Sequence, residues 1–125
     1  MILADSNLII YVASGKYPDL NEWFVTKRPV VSAVTLLEVL GYHKLEANEK
    51  NILQNLFAEL SVIYPSAEVF QKAIDLRQKR NISVSDALIA STAFVHQLTL
   101  ATHNTSDFDW VTGLDLVDPL VEVES

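Results

Sequence analysis

The chain has 125 residues, 50% of them hydrophobic, and its sixteen acidic residues outnumber nine basic ones for a formal charge of −7. That length suits one domain with its own core. With no cysteine, a disulfide framework, a zinc–thiolate site and a thiol nucleophile are all excluded. An acidic balance argues against extended binding of phosphate backbones, but leaves room for a small site whose positive charge is a bound cation.

The N-terminus opens directly on an apolar run and lacks the basic region and long apolar stretch of a secretory signal. No apolar run approaches the roughly 18 residues of a membrane span, so a cytoplasmic protein with no membrane role is expected. Ile2 to Asp5 reads as a strand, and Ser6 or Asn7 as the cap of a short helix broken by Gly15 and Pro18. Asp19 to Val25 is a second short helix and Pro29-Val30-Val31 a buried strand. A largely apolar helix is expected from Ser32 to about Leu45, with Gly41 tolerated inside it. Asn48 to Leu60 carries apolar residues at helical spacing. Val62-Ile63-Tyr64 is a strand stopped by Pro65, and Ser66 opens a helix that runs to Arg80. Asp86 to Gln97 is apolar around most of its circumference, so it should be a buried helix. Leu98 to Thr102 is a strand, His103 to Phe108 a loop, and Leu114 to Val117 a last strand before Pro119. Strands alternating with helices indicate an α/β fold with a mostly parallel sheet. The expectation is a single domain over 1–125, with a structured core over about 2–118 and a frayed tail from Glu122 to Ser125.

Four carboxylates, Asp5, Glu38, Asp86 and Asp107, lie at or near the strand and helix junctions of this pattern. Each has an ordinary reading. Asp5 can cap the next helix, Asp86 can be a first-turn acid favoured by the helix dipole, and Asp107 can cap a turn toward Trp110. Glu38 is harder to place this way: its neighbours three and four residues away are Val34, Thr35, Gly41 and Tyr42, none of them cationic. Carboxylates set in apolar sequence are costly unless something positive neutralises them. Carboxyl ends of parallel strands converge on one crevice, and acids gathered there favour a hard cation such as Mg²⁺ or Mn²⁺. Two such ions can stabilise both the attacking and the leaving oxygen of a phosphodiester. The basic residues Lys72, Arg77, Lys79 and Arg80, and the pair Lys27-Arg28, read as solvated helix faces or ends. His43, His96 and His103 lack metal-ligand spacing. Trp23, Phe24, Phe70 and Phe94 fit core or interface positions.

Four blocks in order resemble one family. Ile2-Leu3-Ala4-Asp5-Ser6-Asn7-Leu8 is similar to the opening Leu-Asp-Thr-Asn-hydrophobic signature of PIN domains, in particular the VapC-type toxins. Ser32 to Tyr42 resembles their glutamate-bearing second block, and Asp86-Ala87-Leu88-Ile89-Ala90-Ser91-Thr92-Ala93 their third. Thr102-His103-Asn104-Thr105-Ser106-Asp107-Phe108 matches the fourth, Thr-x-Asn-x-x-Asp-Phe. The blocks run in order from Ile2 to Phe108, and the resemblance is taken to extend over Ile2 to Asp118. The resemblance implies a three-layer α/β/α PIN fold and an Mg²⁺- or Mn²⁺-dependent endoribonuclease that cuts RNA with metal-activated water and no side-chain nucleophile. It also implies a small antitoxin protein that inhibits the enzyme, and a homodimer. It carries Asp5, Glu38, Asp86 and Asp107 over as catalytic metal-site acids, with Ser6, Asn7, Thr102 and Asn104 supporting them or positioning substrate. Two departures stand out: His103 occupies a place where arginine is common, and Ser6 one where threonine is usual.

Three rivals are weighed against this. An aspartyl-phosphate phosphatase of the haloacid dehalogenase kind needs a second aspartate two residues after the first, where this chain has Asn7. A receiver domain needs an acidic pair near the start and a lysine after a late strand, and has neither here. The rival from another class is a PIN-scaffold binding or regulatory module with little or no nuclease activity.

Overall fold

Each strand is a short apolar run ended at once by a polar residue or a helix cap. In the computed structural model, which describes the backbone of residues 1–124 and the side chains of residues 1–121, the first strand, β1 (Ile2–Ala4), stops at Asp5. It pairs in parallel with β4 (Thr99–Ala101), which pairs in parallel with β5 (Leu116–Val117). On the other side β2 (Val31–Ser32) and β3 (Val62–Ile63) form a second parallel pair. The two groups join between β1 and Val30, where Ala4 N–H donates to the Val30 carbonyl at 2.9 Å and Val30 N–H to that of Ile2 at 2.8 Å. The spatial order is β3-β2-β1-β4-β5, every pairing parallel.

Alternation along the strands divides the core in two. Ala4, Val31 and Ala101 face one layer, where they pack with Leu8, Ile9, Trp23, Val39 and Phe57. That layer is α1 (Ser6–Ser14), α2 (Pro18–Lys27), α3 (Ala33–Leu40) and α4 (Ala47–Ala58), closed by Leu120 of α7 (Pro119–Glu124). Leu3 and Leu100 face the opposite layer with Leu76 and Ile89 of α5 (Ala67–Lys79) and α6 (Val84–Val95). This is the expected three-layer α/β/α architecture. Residues Ala87 to Ala93 of α6 are all buried, as its apolar circumference requires; four of the seven are alanine or serine, which lets α5 and the sheet approach closely. Full burial of a side chain such as Leu8 or Leu100 contributes about 1.5–3 kcal/mol.

Three local expectations are corrected. The first helix is capped by Asp5 rather than Ser6 or Asn7, because Asp5 keeps extended backbone while its carboxylate accepts the Ser6 N–H. The helix expected to reach Leu45 ends at Leu40. Gly41 is its C-cap, donating to the Leu37 carbonyl at 3.0 Å, and a Cβ there would collide with that carbonyl oxygen. Pro119 starts α7 instead of ending the structure, because proline is well tolerated in the first turn of a helix. The expected frayed tail, Glu122 to Ser125, lies outside the described residues apart from the backbone of α7 up to Glu124. Phe70 is 51% exposed, so it belongs to a surface and not to the core.

The basic residues of α5 mostly tie the helix to its neighbours. Arg77 Nε donates to the Ile82 carbonyl at 3.1 Å, Lys72 Nζ lies 3.9 Å from the centre of the Phe94 ring, and Arg80 lies over Trp110.

Candidate functional site

Parallel pairing of β1 and β4 brings their carboxyl ends to the same edge, so Asp5 and Thr102 emerge side by side. Thr102 Oγ1 donates to Asp5 Oδ2 at 2.8 Å, and Ser6 N–H donates to Asp5 Oδ1 at 2.7 Å. Asp5 is only 6% exposed. Burial pushes its carboxyl up from 3.8 to about 6, and the negative charges of Asp86 and Glu38 push the same way, against the two hydrogen bonds. Both ordinary and functional readings of Asp5 therefore meet in one residue, which caps α1 and also sits buried among other acids.

The rest of the site is assembled from the ends of three helices and one loop. Glu38, exposed on α3, is held from α1: Ser6 Oγ lies 2.8 Å from Glu38 Oε1 and 3.1 Å from Thr35 Oγ1. One hydroxyl proton serves one acceptor, and an ionised carboxylate can only accept. The Ser6 proton thus goes to Glu38, and the Thr35 hydroxyl completes the chain by donating to Ser6. Asp86 lies in the first turn of α6, whose cap Ser83 accepts the Asp86 N–H at 3.0 Å. Burial raises the Asp86 carboxyl above its usual value, as do the charges of Glu38 and Asp107, while the Ser83 hydroxyl acts to lower it. Asp107 ends a single 3₁₀ turn (Thr105–Asp107) and is exposed. Its backbone carbonyl, not its carboxylate, accepts the Trp110 indole N–H at 2.9 Å, so the turn toward Trp110 is made without the side chain.

All four acids expected from the sequence are thus linked by their fields. Asp5 feels Asp86 and Glu38, and Asp86 feels Glu38 and Asp107. Among the described residues the one ion pair is His103 with Asp118, so no lysine or arginine neutralises the group. Among the described residues, however, no three acids or histidines are close enough together to chelate one ion. The arrangement is an open acidic crevice. Around Thr102, Asn7 Nδ2 lies 3.5 Å from its Oγ1, and the Asn104 N–H donates to the same oxygen at 3.1 Å. Asn7 Oδ1 is buried with no partner among the described residues, an acceptor that a bound water can satisfy. Unneutralised carboxylates and an orphaned carbonyl oxygen form an all-oxygen donor set, and in donor type that set fits a hard divalent cation.

Sequence reading passed over the neighbours of His103. Its ring stands 6.0 Å from that of Tyr11 and 6.4 Å from that of Tyr17. Tyr11 at four residues from Asn7 was the available signal, since that spacing shares a helix face.

The model of the PIN domain matches residues 2–113. The chain belongs to the PIN domain family. Among curated proteins it is 26% identical to "Ribonuclease VapC1" of Rickettsia felis, over 93% of this chain and 94% of that protein. It is 28% identical to "tRNA(fMet)-specific endonuclease VapC" of Shigella flexneri, over 93% and 96%. Among solved structures a toxin–antitoxin complex from Klebsiella pneumoniae aligns with a TM-score of 0.79 at 26% identity, covering 95% of this PIN domain and 98% of that chain. Among the described residues no helix is long and apolar enough to cross a membrane.

Proposed function

We propose that this PIN domain is a divalent-cation-dependent endoribonuclease of the VapC type, the toxin of a toxin–antitoxin pair acting on RNA in the cytoplasm. The observation that carries the reading is Asp5: a buried carboxyl, raised to about 6, facing Glu38 and Asp86 with no cation among the described residues to neutralise them. Leaving such a group unpaired is costly unless the site exists to receive positive charge. The names of the relatives and the complexes among the structural neighbours support the nuclease and the antitoxin respectively.

Asp5, Glu38, Asp86 and Asp107 would hold Mg²⁺ or Mn²⁺, which when bound polarises water for attack at phosphorus and stabilises the leaving oxygen. The chain's own work is positioning. Thr102 and the Ser6 N–H fix both oxygens of Asp5, and the Ser6 hydroxyl aims Glu38 across from α3. Asn7 and Asn104 brace Thr102 from either side, the one through its side-chain amide and the other through its backbone N–H. Glu38 and Asp107 are the exposed members of the set and would complete the ligands of such a cation.

Antitoxin docking has a matching surface. A cavity of about 390 Å³ lies beside Glu38 between α1, α3 and α4, lined by Ile10, Val39, Tyr42, Leu45 and Leu53, with Leu37 76% exposed nearby. An amphipathic helix fits such a groove. Phe70 and Ile74, both about half exposed and four residues apart on α5, are a second apolar face, suited to another copy of the chain in a homodimer.

The open crevice also favours a second reading, a PIN-scaffold binding module whose acids do not gather a metal. Incubating the purified protein with structured RNA in Mg²⁺, in Mn²⁺ and in chelator, beside Asp5→Asn, separates the two. Cleavage that requires metal and disappears with Asp5→Asn establishes the nuclease. Intact RNA in every lane leaves the binding module.

A further inference from the structure

Beside the acids lies a cluster that the hydrolytic machinery does not use. Gly15 takes a left-handed conformation, φ 71°, and turns the chain so that Lys16 and Tyr17 fold back against Tyr11. The Tyr11 and Tyr17 rings meet edge to face at 5.2 Å, and the Lys16 ammonium lies 5.2 Å from one ring centre and 5.4 Å from the other. His103 completes the group at 6.0 Å from Tyr11. Its Nδ1 is 3.0 Å from Asp118 Oδ2, and Asp118 is itself fixed by accepting the Leu120 N–H at the start of α7. Nε2 of His103 has no partner among the described residues.

Two connections put this cluster at the rim of the crevice. His103 follows Thr102, the residue that donates to Asp5, and consecutive Cα atoms are only about 3.8 Å apart. Tyr11 stands one helical turn beyond Asn7, whose amide reaches the same Thr102. Both tyrosines are partly exposed, and Lys16 and His103 are exposed. On a chain of net charge −7, Lys16 has no carboxylate within ion-pair distance among the described residues. It keeps its charge for something outside the protein.

We propose that Lys16, Tyr11, Tyr17 and His103 form a subsite for single-stranded RNA, taking the phosphate and base next to the scissile phosphate. This rests on the ribonuclease reading and names which part of the substrate is gripped. Lys16 supplies charge to the phosphate, while His103 offers Nε2 to the backbone. The tyrosines offer ring surface and hydroxyls to the base and ribose. Splayed bases stack on such rings, whereas duplex bases are already stacked on one another. The cluster also answers the acidic balance of the chain, since the substrate meets an unpaired cation immediately beside the acids.

The test measures binding of a single-stranded RNA oligonucleotide to Asp5→Asn protein, so that nothing is cut, with the same sequence as a duplex for comparison. Lys16→Met keeps the aliphatic stem on the rings and removes the charge; Lys16→Arg restores it. Lys16→Met should weaken single-strand binding about tenfold and lower the magnitude of the log–log salt slope by roughly 0.7, one phosphate contact. Lys16→Arg should bind as the parent does. Tyr17→Leu should also cost about tenfold, by loss of stacking surface, and if it melts early the lysine pair decides alone. In the cleaving wild-type background the loss should fall on KM and not on kcat.

Unchanged affinity and salt slope in Lys16→Met would overturn the subsite, as would equal binding of duplex RNA. Wild-type cleavage that Lys16→Met leaves unaltered removes the subsite and keeps the nuclease. A wild type that neither binds nor cleaves RNA removes both. Variants that lose only a protein partner show a docking surface instead, which also overturns the proposal.

Discussion

Asp5 shows how one residue can serve local structure and chemistry while costing the fold stability. Its folded carboxyl is raised from 3.8 to about 6, so between those values the folded state holds more protons than the unfolded one. Stability contributed by the protonated form is full below pH ~4 and is lost as pH rises through about 6; the shift corresponds to about 3 kcal/mol. Metal-free wild type should therefore lose melting temperature relative to Asp5→Asn between pH 4 and pH 7. Parallel pH profiles for the two proteins would contradict the buried-acid account. The hydroxyls around the acids lead to a second expectation. Ser6→Ala leaves Glu38 without its 2.8 Å donor, and Thr102→Val removes the hydroxyl on Asp5. Partners of this kind are worth about 10–100-fold in metal affinity or activity. Each variant should cut RNA cleavage by that order while its melting temperature stays within a few degrees of wild type. Retained activity in both would show that the acids need no such bracing.

Elements bring these residues together, and the caps do much of that work. Ser83 caps α6 by accepting the Asp86 N–H at 3.0 Å, and its hydroxyl also draws the Asp86 carboxyl downward. Ser83→Ala should cost about 1 kcal/mol, a fall of about 4 °C for a domain of this size, and should raise the Asp86 carboxyl further. Carboxyl ¹³C shifts followed with pH would show the second effect, and an unmoved Asp86 titration would refute it. Caps also mark what could be read in the sequence. Ser66 ahead of α5 and the buried α6 were legible from residue type and periodicity, and so was the parallel character of the sheet, though not the order of its strands. The end of α3 was not, because a glycine inside an apolar stretch and a glycine ending a helix look alike until the Leu37 carbonyl is seen to block a side chain. No helix was expected at Pro119, because a proline that opens a helix and one that merely follows a strand share the same local sequence. The four acids could be singled out since each lies at or near an element boundary. The Tyr11, Tyr17 and His103 cluster was hidden, because it depends on the turn at Gly15 and on 85 residues of intervening chain between Tyr17 and His103.

On the scale of the whole molecule, an acidic protein has brought four carboxylates to one edge of its sheet without a counter-cation among the described residues. Anything positive that binds there only in the folded state should stabilise it. Mg²⁺ or Mn²⁺ at a hundredfold excess over its dissociation constant would add about 2.7 kcal/mol, visible as a rise in melting temperature over chelator that Asp5→Asn largely abolishes. Equal shifts in both proteins would place the ion elsewhere. The same field bears on inhibition by an antitoxin. One route puts an arginine or lysine among the acids in place of the metal charge, arginine being the better fork for carboxylates. The other packs an apolar helix into the groove beside Glu38, over Leu37. Charge insertion requires that affinity fall as salt rises, and that the dependence vanish when the acids do. Binding of the neighbouring gene's product should therefore weaken at least tenfold in Asp5→Asn plus Asp86→Asn and lose most of its salt dependence. Leu37→Asp should instead weaken binding with the salt dependence retained. If the double variant binds as tightly as wild type with the same salt slope, while Leu37→Asp does not bind, inhibition is by apolar coverage of the groove and the acids are left to the metal alone.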